Sequence, residues 1–176
     1  MLCGNKKGLL VPSVISDQEM MHLRNSLPES VKIRKLDDRI SALGNCISCN
    51  DYSALIHPEF DRESEEIIAD VLGVEVFRTT IAGNALVGTY SVLNNSGGIV
   101  HPGTTIDEYR ELADILQIPI GAATVNRGSE LLGSGVVVND WISFCGFECT
   151  SAEIDNIEKI FKLQQSLKFW LINIFQ

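Results

Sequence analysis

The sequence predicts an α/β repeat architecture, with one strand-strand-helix-strand unit returning about every 44 residues. Three observations predict it. Gly8-Leu9-Leu10-Val11-Pro12 returns as Ala54-Leu55-Ile56-His57-Pro58, then as Gly98-Ile99-Val100-His101-Pro102, and degenerately as Ile142-Ser143-Phe144-Cys145-Gly146. A second marker keeps the same beat: Ala42-Leu43-Gly44, Leu86-Val87-Gly88 and Leu131-Leu132-Gly133. After each Pro-ended run comes a stretch with helical spacing of apolar residues. Copies of this size bury their apolar faces against their neighbours, so every motif has to be read in register with the repeat.

The elements follow in order within each unit. Ile40 to Cys46 and Ser53 to His57 are short β-prone runs around Asn50-Asp51, a pair suited to a turn because Asn and Asp bond their own backbone. The equivalent turn positions are read as Asn5, Asp51, Asn95 and Asn139. Helix starts are marked by Ser16-x-x-Glu19, Thr105-x-x-Glu108 and Thr150-x-x-Glu153, each with the form of a capping box, and by Asp61 as a plain N-cap. Apolar stripes such as Ile67, Ile68, Val71 and Leu72 place helices over about 17–26, 62–72, 106–116 and 151–162. Pro28 and Gly73 are stop signals, and short apolar strands follow at Val31-Lys32-Ile33, Val74 to Phe77 and Ile118-Pro119-Ile120.

Composition bounds the function. A chain of 176 residues is one domain with a real core, and 45% hydrophobic against 21% charged residues makes it globular. A net charge of −9 argues against a large phosphate-binding surface and suits a basic protein partner. Five cysteines, with no apolar segment at Met1 to Lys7, fit free thiols in a reducing compartment. The apolar run Leu167 to Phe175 is far shorter than the ~20 residues of a membrane span.

The longer strings carry a resemblance. Leu23-Arg24-Asn25-Ser26-Leu27-Pro28, Ser41-Ala42-Leu43-Gly44-Asn45, Cys49-Asn50-Asp51-Tyr52, Val74 to Arg78, Thr124 to Glu130 and Val138-Asn139-Asp140-Trp141 resemble the translation initiation factor 6 family, from about Met1 to Leu163. The resemblance implies a pentein fold, an α/β propeller of five blades about a pseudo-fivefold axis, and no enzymatic activity or cofactor. It implies a ribosome anti-association factor that binds the large (60S) subunit, chiefly through ribosomal protein uL14. It implies roles in subunit biogenesis and initiation, and release by the Shwachman–Bodian–Diamond protein and a GTPase related to elongation factor two. A monomer in cytoplasm, nucleus and nucleolus is expected. By matching motifs, Asn5, Lys6, Gly44, Asn45 and Asp51 are the expected ribosome contacts, gathered on one face of the ring.

Departures from the family shape further expectations. The family's first blade has no counterpart here, so residues 1–163 are expected to form about four blades and residues 164–176 an atypical tail. Losing ~400 Å² of apolar contact removes roughly 10 kcal/mol of gross burial. That matches the whole stability of a domain, about 5–15 kcal/mol. An inactive, truncated variant is therefore one alternative. A pair of serines that some members carry reads Ala113-Asp114, which does not support regulation by modification there.

Other chemistry has to be read residue by residue. Cys46, Cys49, Cys145 and Cys149 could be offered as a zinc site, but sister repeats place Tyr90, Leu93 and His101 at three of these positions. His57-Pro58 and His101-Pro102 align with Val11-Pro12 and Cys145-Gly146, which suits a packing position. Pentein enzymes that modify guanidino groups offer the other alternative, with Cys145 or Cys149 as nucleophile and His101 as base. Asn126-Arg127-Gly128-Ser129 lacks the spacing of a phosphate-binding loop and reads as a loop between strands.

Overall fold

A computed structural model describes residues 2–163 of the chain, so the expected tail at 164–176 lies outside the described residues. In chain order the first module is β1 (Cys3–Gly4), β2 (Gly8–Pro12), α1 (Asp17–Ser26) and β3 (Lys32–Leu36). The second is α2 (Leu43–Cys46), β4 (Ile47–Cys49), β5 (Ser53–Ile56), α3 (Arg62–Leu72) and β6 (Glu75–Arg78). The third is α4 (Val87–Tyr90), β7 (Ser91–Leu93), β8 (Gly98–Val100), α5 (Ile106–Leu116) and β9 (Ile120–Ala122). The fourth is α6 (Leu132–Gly135), β10 (Val136–Val138), β11 (Ser143–Cys145) and α7 (Ser151–Phe161).

Three modules share one sheet topology. A tight turn pairs the first strand antiparallel to the second, as Ile47 opposite Ile56, and the helix then crosses over to a third strand parallel to the second, as Ser53 opposite Glu75. A parallel pairing requires such a crossover. In the fourth module the described sheet is the hairpin β10-β11. The helices start where the sequence places them: Ser16, Thr105 and Thr150 close reciprocal capping boxes, and Asp61 accepts from the Ser64 amide. Gly73 ends α3 in the left-handed conformation at φ 61°, and Gln117 and Lys162 do the same for α5 and α7 at φ 53° and 52°.

The modules are glued by shared cores. Leu10 and Leu36 of the first module pack with Ile68, Val71 and Leu72 of α3. Leu55 of the second packs with Leu112 and Leu116 of α5, and Ile99 of the third with Ile157 and Phe161 of α7. Alternation along β5 explains this, since Ala54 and Ile56 enter one core and Leu55 the next. A middle strand buried on both faces reads as a continuous apolar run, which is why the Leu-Leu-Val-Pro marker is so plain. Gly8 and Gly97 let the next helix approach, because a Cβ there would stand 2.2 Å from the Val71 carbonyl and 2.1 Å from that of Ile160.

Two sequence expectations are corrected. The run Ile40 to Cys46 is not a strand: Leu43–Cys46 is one helical turn, and the strand starts at Ile47. The Leu-Gly markers at Val87–Tyr90 and Leu132–Gly135 are helical turns too. They stack across modules, with the Cβ-less face of Gly88 against the Gly44 carbonyl and that of Gly133 against the Gly88 carbonyl. The turn equivalence also shifts by one residue in two modules. Asn5, Asn50, Asn94 and Asn139 are the matching positions, not Asp51 and Asn95, because these four asparagines each bond the amides two and three residues ahead.

Candidate functional site: two polar ends of a strand stack

The first strands β1, β4, β7 and β10 adjoin in that order, so their hairpin turns line up at one end. There the four asparagines form a ladder. Asn5 Oδ1 accepts from the Lys7 and Gly8 amides at 2.9 and 3.1 Å, while its Nδ2 donates to the carbonyls of Asn50 and Leu72 at 3.1 and 2.9 Å. Asn50 Nδ2 donates onward to the Asn94 carbonyl at 3.2 Å, and Asn94 Nδ2 to Asn139 and Phe161 at 3.1 and 3.4 Å. Each side chain thus shapes its own turn, and those of Asn5, Asn50 and Asn94 also hold the next module. Asn50 and Asn94 are buried at 5% and 4% exposure, which makes this satisfaction obligatory.

One residue further on runs a second, charged chain. Lys6 Nζ meets Asp51 Oδ2 at 3.0 Å, and Asn95 Nδ2 bridges Asp51 Oδ2 at 2.7 Å and Asp140 Oδ2 at 2.6 Å. Backbone amides of Asp51 and Asn95 donate to Asn95 Oδ1 and Asp140 Oδ1 at 3.0 and 2.9 Å. Burial opposes ionisation of Asp51, but bonds from Asn95 and Lys6 outweigh it and hold its carboxyl below the usual range. The turns line a cavity of about 360 Å³, with Trp141 exposed at its rim. Lys7 Nζ ties the second turn to the end of α3, donating to the carbonyls of Asp51 and Gly73 at 2.9 and 2.7 Å.

The five expected contact residues therefore fall into two groups. Asn5, Lys6 and Asp51 meet at the turn end. Gly44 and Asn45 sit in α2, and the three residues of β4 separate them from Asp51. A strand of that length spans about 10 Å. The structure does not bring all five to one face. Asn45 is exposed, whereas Gly44 lies in the stack of helical turns. The sequence reading names Asn95 only as a turn position and misses Asn94 and Asp140; the repeat length applied from Asn5 and Lys6 in parallel would have found them.

The remaining chemical candidates resolve into packing. Cys46 lies in the core shared by the first two modules and Cys145 in that shared by the last two, so their thiols serve different interiors. Burial, with Cys149 beside it, pushes the Cys145 thiol up to about 11, opposite to the shift a nucleophilic thiolate needs. His101 Nδ1 accepts from the Gly103 amide at 2.9 Å, which places the proton on Nε2, 3.1 Å from Glu130. His57 makes the same turn, accepting from the Glu59 amide at 3.0 Å. The loop Asn126–Ser129 does cradle an anion, and it is the chain's own Glu153. Amides of Gly128 and Thr150 donate to it at 2.9 and 2.8 Å, and the Thr124 hydroxyl at 2.9 Å. No helix among the described residues is long and apolar enough to cross a membrane.

Glu153 makes a pH prediction. Burial raises its pKa, yet the amide and hydroxyl donors prevail and bring it down to about 2. An unfolded glutamate titrates near ~4.3, so between these values the unfolded chain binds the extra proton. The stability that Glu153 contributes is complete above pH ~4.5 and is lost as pH falls toward ~2. Glu153→Gln is expected to flatten the acid limb of a melting-temperature profile in that window. An acid limb as steep as that of the wild type would refute the role.

With the geometry in place, comparison with known proteins is informative. A family model described as the eIF-6 family matches residues 1–160. The chain is 61% identical over 163 residues to eukaryotic translation initiation factor 6 of Tetrahymena thermophila, covering 93% of this chain and 66% of that one. It is 60% identical over 166 residues to the factor of Candida albicans, covering 94% and 68%. It is 61% identical over 163 residues to that of Drosophila melanogaster, covering 93% and 66%. The chain thus spans 66 to 68% of the length of these relatives. Among solved structures it is similar to the N-terminal domain of ArgZ, an arginine dihydrolase from cyanobacteria. That match has a TM-score of 0.52 and 8% identity, covering 82% of this chain and 59% of that one. At this identity the likeness is one of fold alone. The sequence relatives are named as initiation factors. Motif, module and relatives converge: the chain belongs to the eIF-6 family.

Proposed function

We propose that the chain is a non-catalytic factor that binds the large ribosomal subunit and prevents its premature joining to the small subunit. It serves both subunit biogenesis and translation initiation. The observation that carries this reading is the match of residues 1–160 to the family, with relatives near 60% identity named as initiation factors. The four modules over residues 2–163 are four blades of a pentein ring. The principal partner is ribosomal protein uL14. Release uses the Shwachman–Bodian–Diamond protein and a GTPase related to elongation factor two. The factor acts as a monomer in cytoplasm, nucleus and nucleolus.

Of the two polar ends, the α2 end is the contact surface. The functional groups of Asn5 and Asp51 are already engaged within the chain, so a partner would have to break those bonds first. Asn45 is exposed on a one-turn helix, and its amide can both donate and accept. The surplus of negative charge suits a basic ribosomal protein. Asn45→Ser is expected to lower the fraction that co-sediments with purified large subunits, while the melting temperature stays within about 2 °C of wild type. Thr89 and Ser134 occupy the same place in α4 and α6, so the fold accepts a small hydroxyl there. Equal binding of the two proteins would remove Asn45 from the surface. Failure of the wild type to co-sediment would overturn the function.

A further inference from the structure

A pair of thiols crosses the first module boundary. Cys3 on β1 and Cys49 on β4 place their sulfurs 3.6 Å apart at a sequence separation of 46. Cys3 Sγ also contacts the Ile47 carbonyl at 3.9 Å, and Cys49 Sγ the Gly4 carbonyl at 3.6 Å. Both residues are half-buried and both line the channel along the first strands, while Cys49 also lines the turn-end cavity. The repeat makes the pair conspicuous. The position of Cys3 is held by Ser48, Val92 and Val137 in the other modules, and that of Cys49 by Gly4, Leu93 and Val138. Packing at these sites needs no sulfur, yet this boundary alone among the described ones puts thiol against thiol.

We propose that Cys3 and Cys49 are a redox pair, closed by peroxide into a disulfide that clamps the first module onto the second. A disulfide needs its sulfurs at about 2.05 Å, and from van der Waals contact that is reached by side-chain rotation. The Cys49 thiolate, reachable from either cavity, attacks one peroxide oxygen; the O–O bond breaks, and a sulfenic acid and water result. The Cys3 sulfur then attacks the sulfenic sulfur. The S–O bond breaks, and the departing hydroxide takes the Cys3 proton to leave as water. Two thiols lose two electrons and hydrogen peroxide becomes two waters. Cys49 lines both cavities whereas Cys3 lines only the channel, which assigns the first attack to Cys49 and the resolving role to Cys3.

The test uses the full chain, hydrogen peroxide as oxidant, and Cys3→Ser and Cys49→Val as variants. These variants install what Ser48 and Val138 carry at the equivalent positions, so folding is preserved. After mild oxidation and alkylation, non-reducing peptide mapping is expected to show one Cys3–Cys49 link, two hydrogen masses lighter than the dithiol and reversed by dithiothreitol. Closing a loop of this length is expected to raise the melting temperature by roughly 5–10 °C in wild type and not in either variant. In Cys3→Ser, Cys49 is expected to stop at the sulfenic acid and be trapped by dimedone. The proposal is overturned if Cys3 and Cys49 are both alkylated after oxidation, if the link joins Cys145 and Cys149 instead, or if the melting shift persists in Cys3→Ser.

Discussion

Gly88→Ala is expected to lower the stability of the protein by about 3 kcal/mol, the upper end for overpacking a core. The added Cβ would stand 2.3 Å from the Gly44 carbonyl oxygen and 2.6 Å from that of Ile47. Both atoms belong to backbone, so no rotamer change relieves the contact. The stack of α2, α4 and α6 must open, or β4 must shift against β7. For a domain of this size the melting temperature is expected to fall by roughly 10 °C. A variant that melts within 2 °C of the wild type, as read by calorimetry with ~2 °C as the resolvable shift, would show that the stack is not closely packed.

Asn94→Ala is the second large effect. Its carboxamide serves the amides of Ser96 and Gly97 at 2.8 and 2.7 Å and the carbonyls of Asn139 and Phe161 at 3.1 and 3.4 Å. All of these lose their partner at once, at a site only 4% exposed. An unsatisfied buried group costs about 1–3 kcal/mol, and some regain water, so a net loss of about 3 kcal/mol is expected. Asn139→Ala is the internal comparison. It removes turn bonds to Trp141 and Ile142, but at an exposed site where water replaces them, and is expected to cost less than about 1 kcal/mol. Urea unfolding of the two variants measures the difference; equal losses would mean that the turn, not the ladder, is what Asn94 supplies.

These two positions also show what could be read from the chain before its structure. The long helices were legible almost to the residue, because Ser16 with Glu19, Thr105 with Glu108 and Thr150 with Glu153 are local signals that need no knowledge of the fold. The Leu-Gly turn within Ile40 to Cys46 reads as a strand in the sequence because its helicity is imposed from outside. Gly88 is helical where it is because a neighbouring module leaves room for backbone only. The choice between Asn50 and Asp51 as the turn former was undecidable locally, since both side chains can bond their own amides. The Asn94 carbonyl across the module boundary selects Asn50. The division of the candidate site into two groups has a similar cause. Repetition reveals that Gly44-Asn45 and Asp51 belong to the same unit, but a three-residue strand between them sends their side chains to opposite ends. The Glu153 cradle was half hidden, because only the Thr150 donor is local and the Gly128 amide comes from a loop 25 residues earlier.

The shared cores carry a consequence for how this chain is made. Each sheet is covered by the helix of the unit that follows it, as Leu55 waits for Leu112 and Leu116, and Ile99 for Ile157 and Phe161. During synthesis a finished sheet keeps one greasy face bare until the following helix, which ends 36 to 39 residues after the sheet's last strand, has left the exit tunnel. Maturation is thus always one step behind elongation, and the nascent chain offers a moving sticky front that a chaperone at the tunnel mouth could track until the last helix docks.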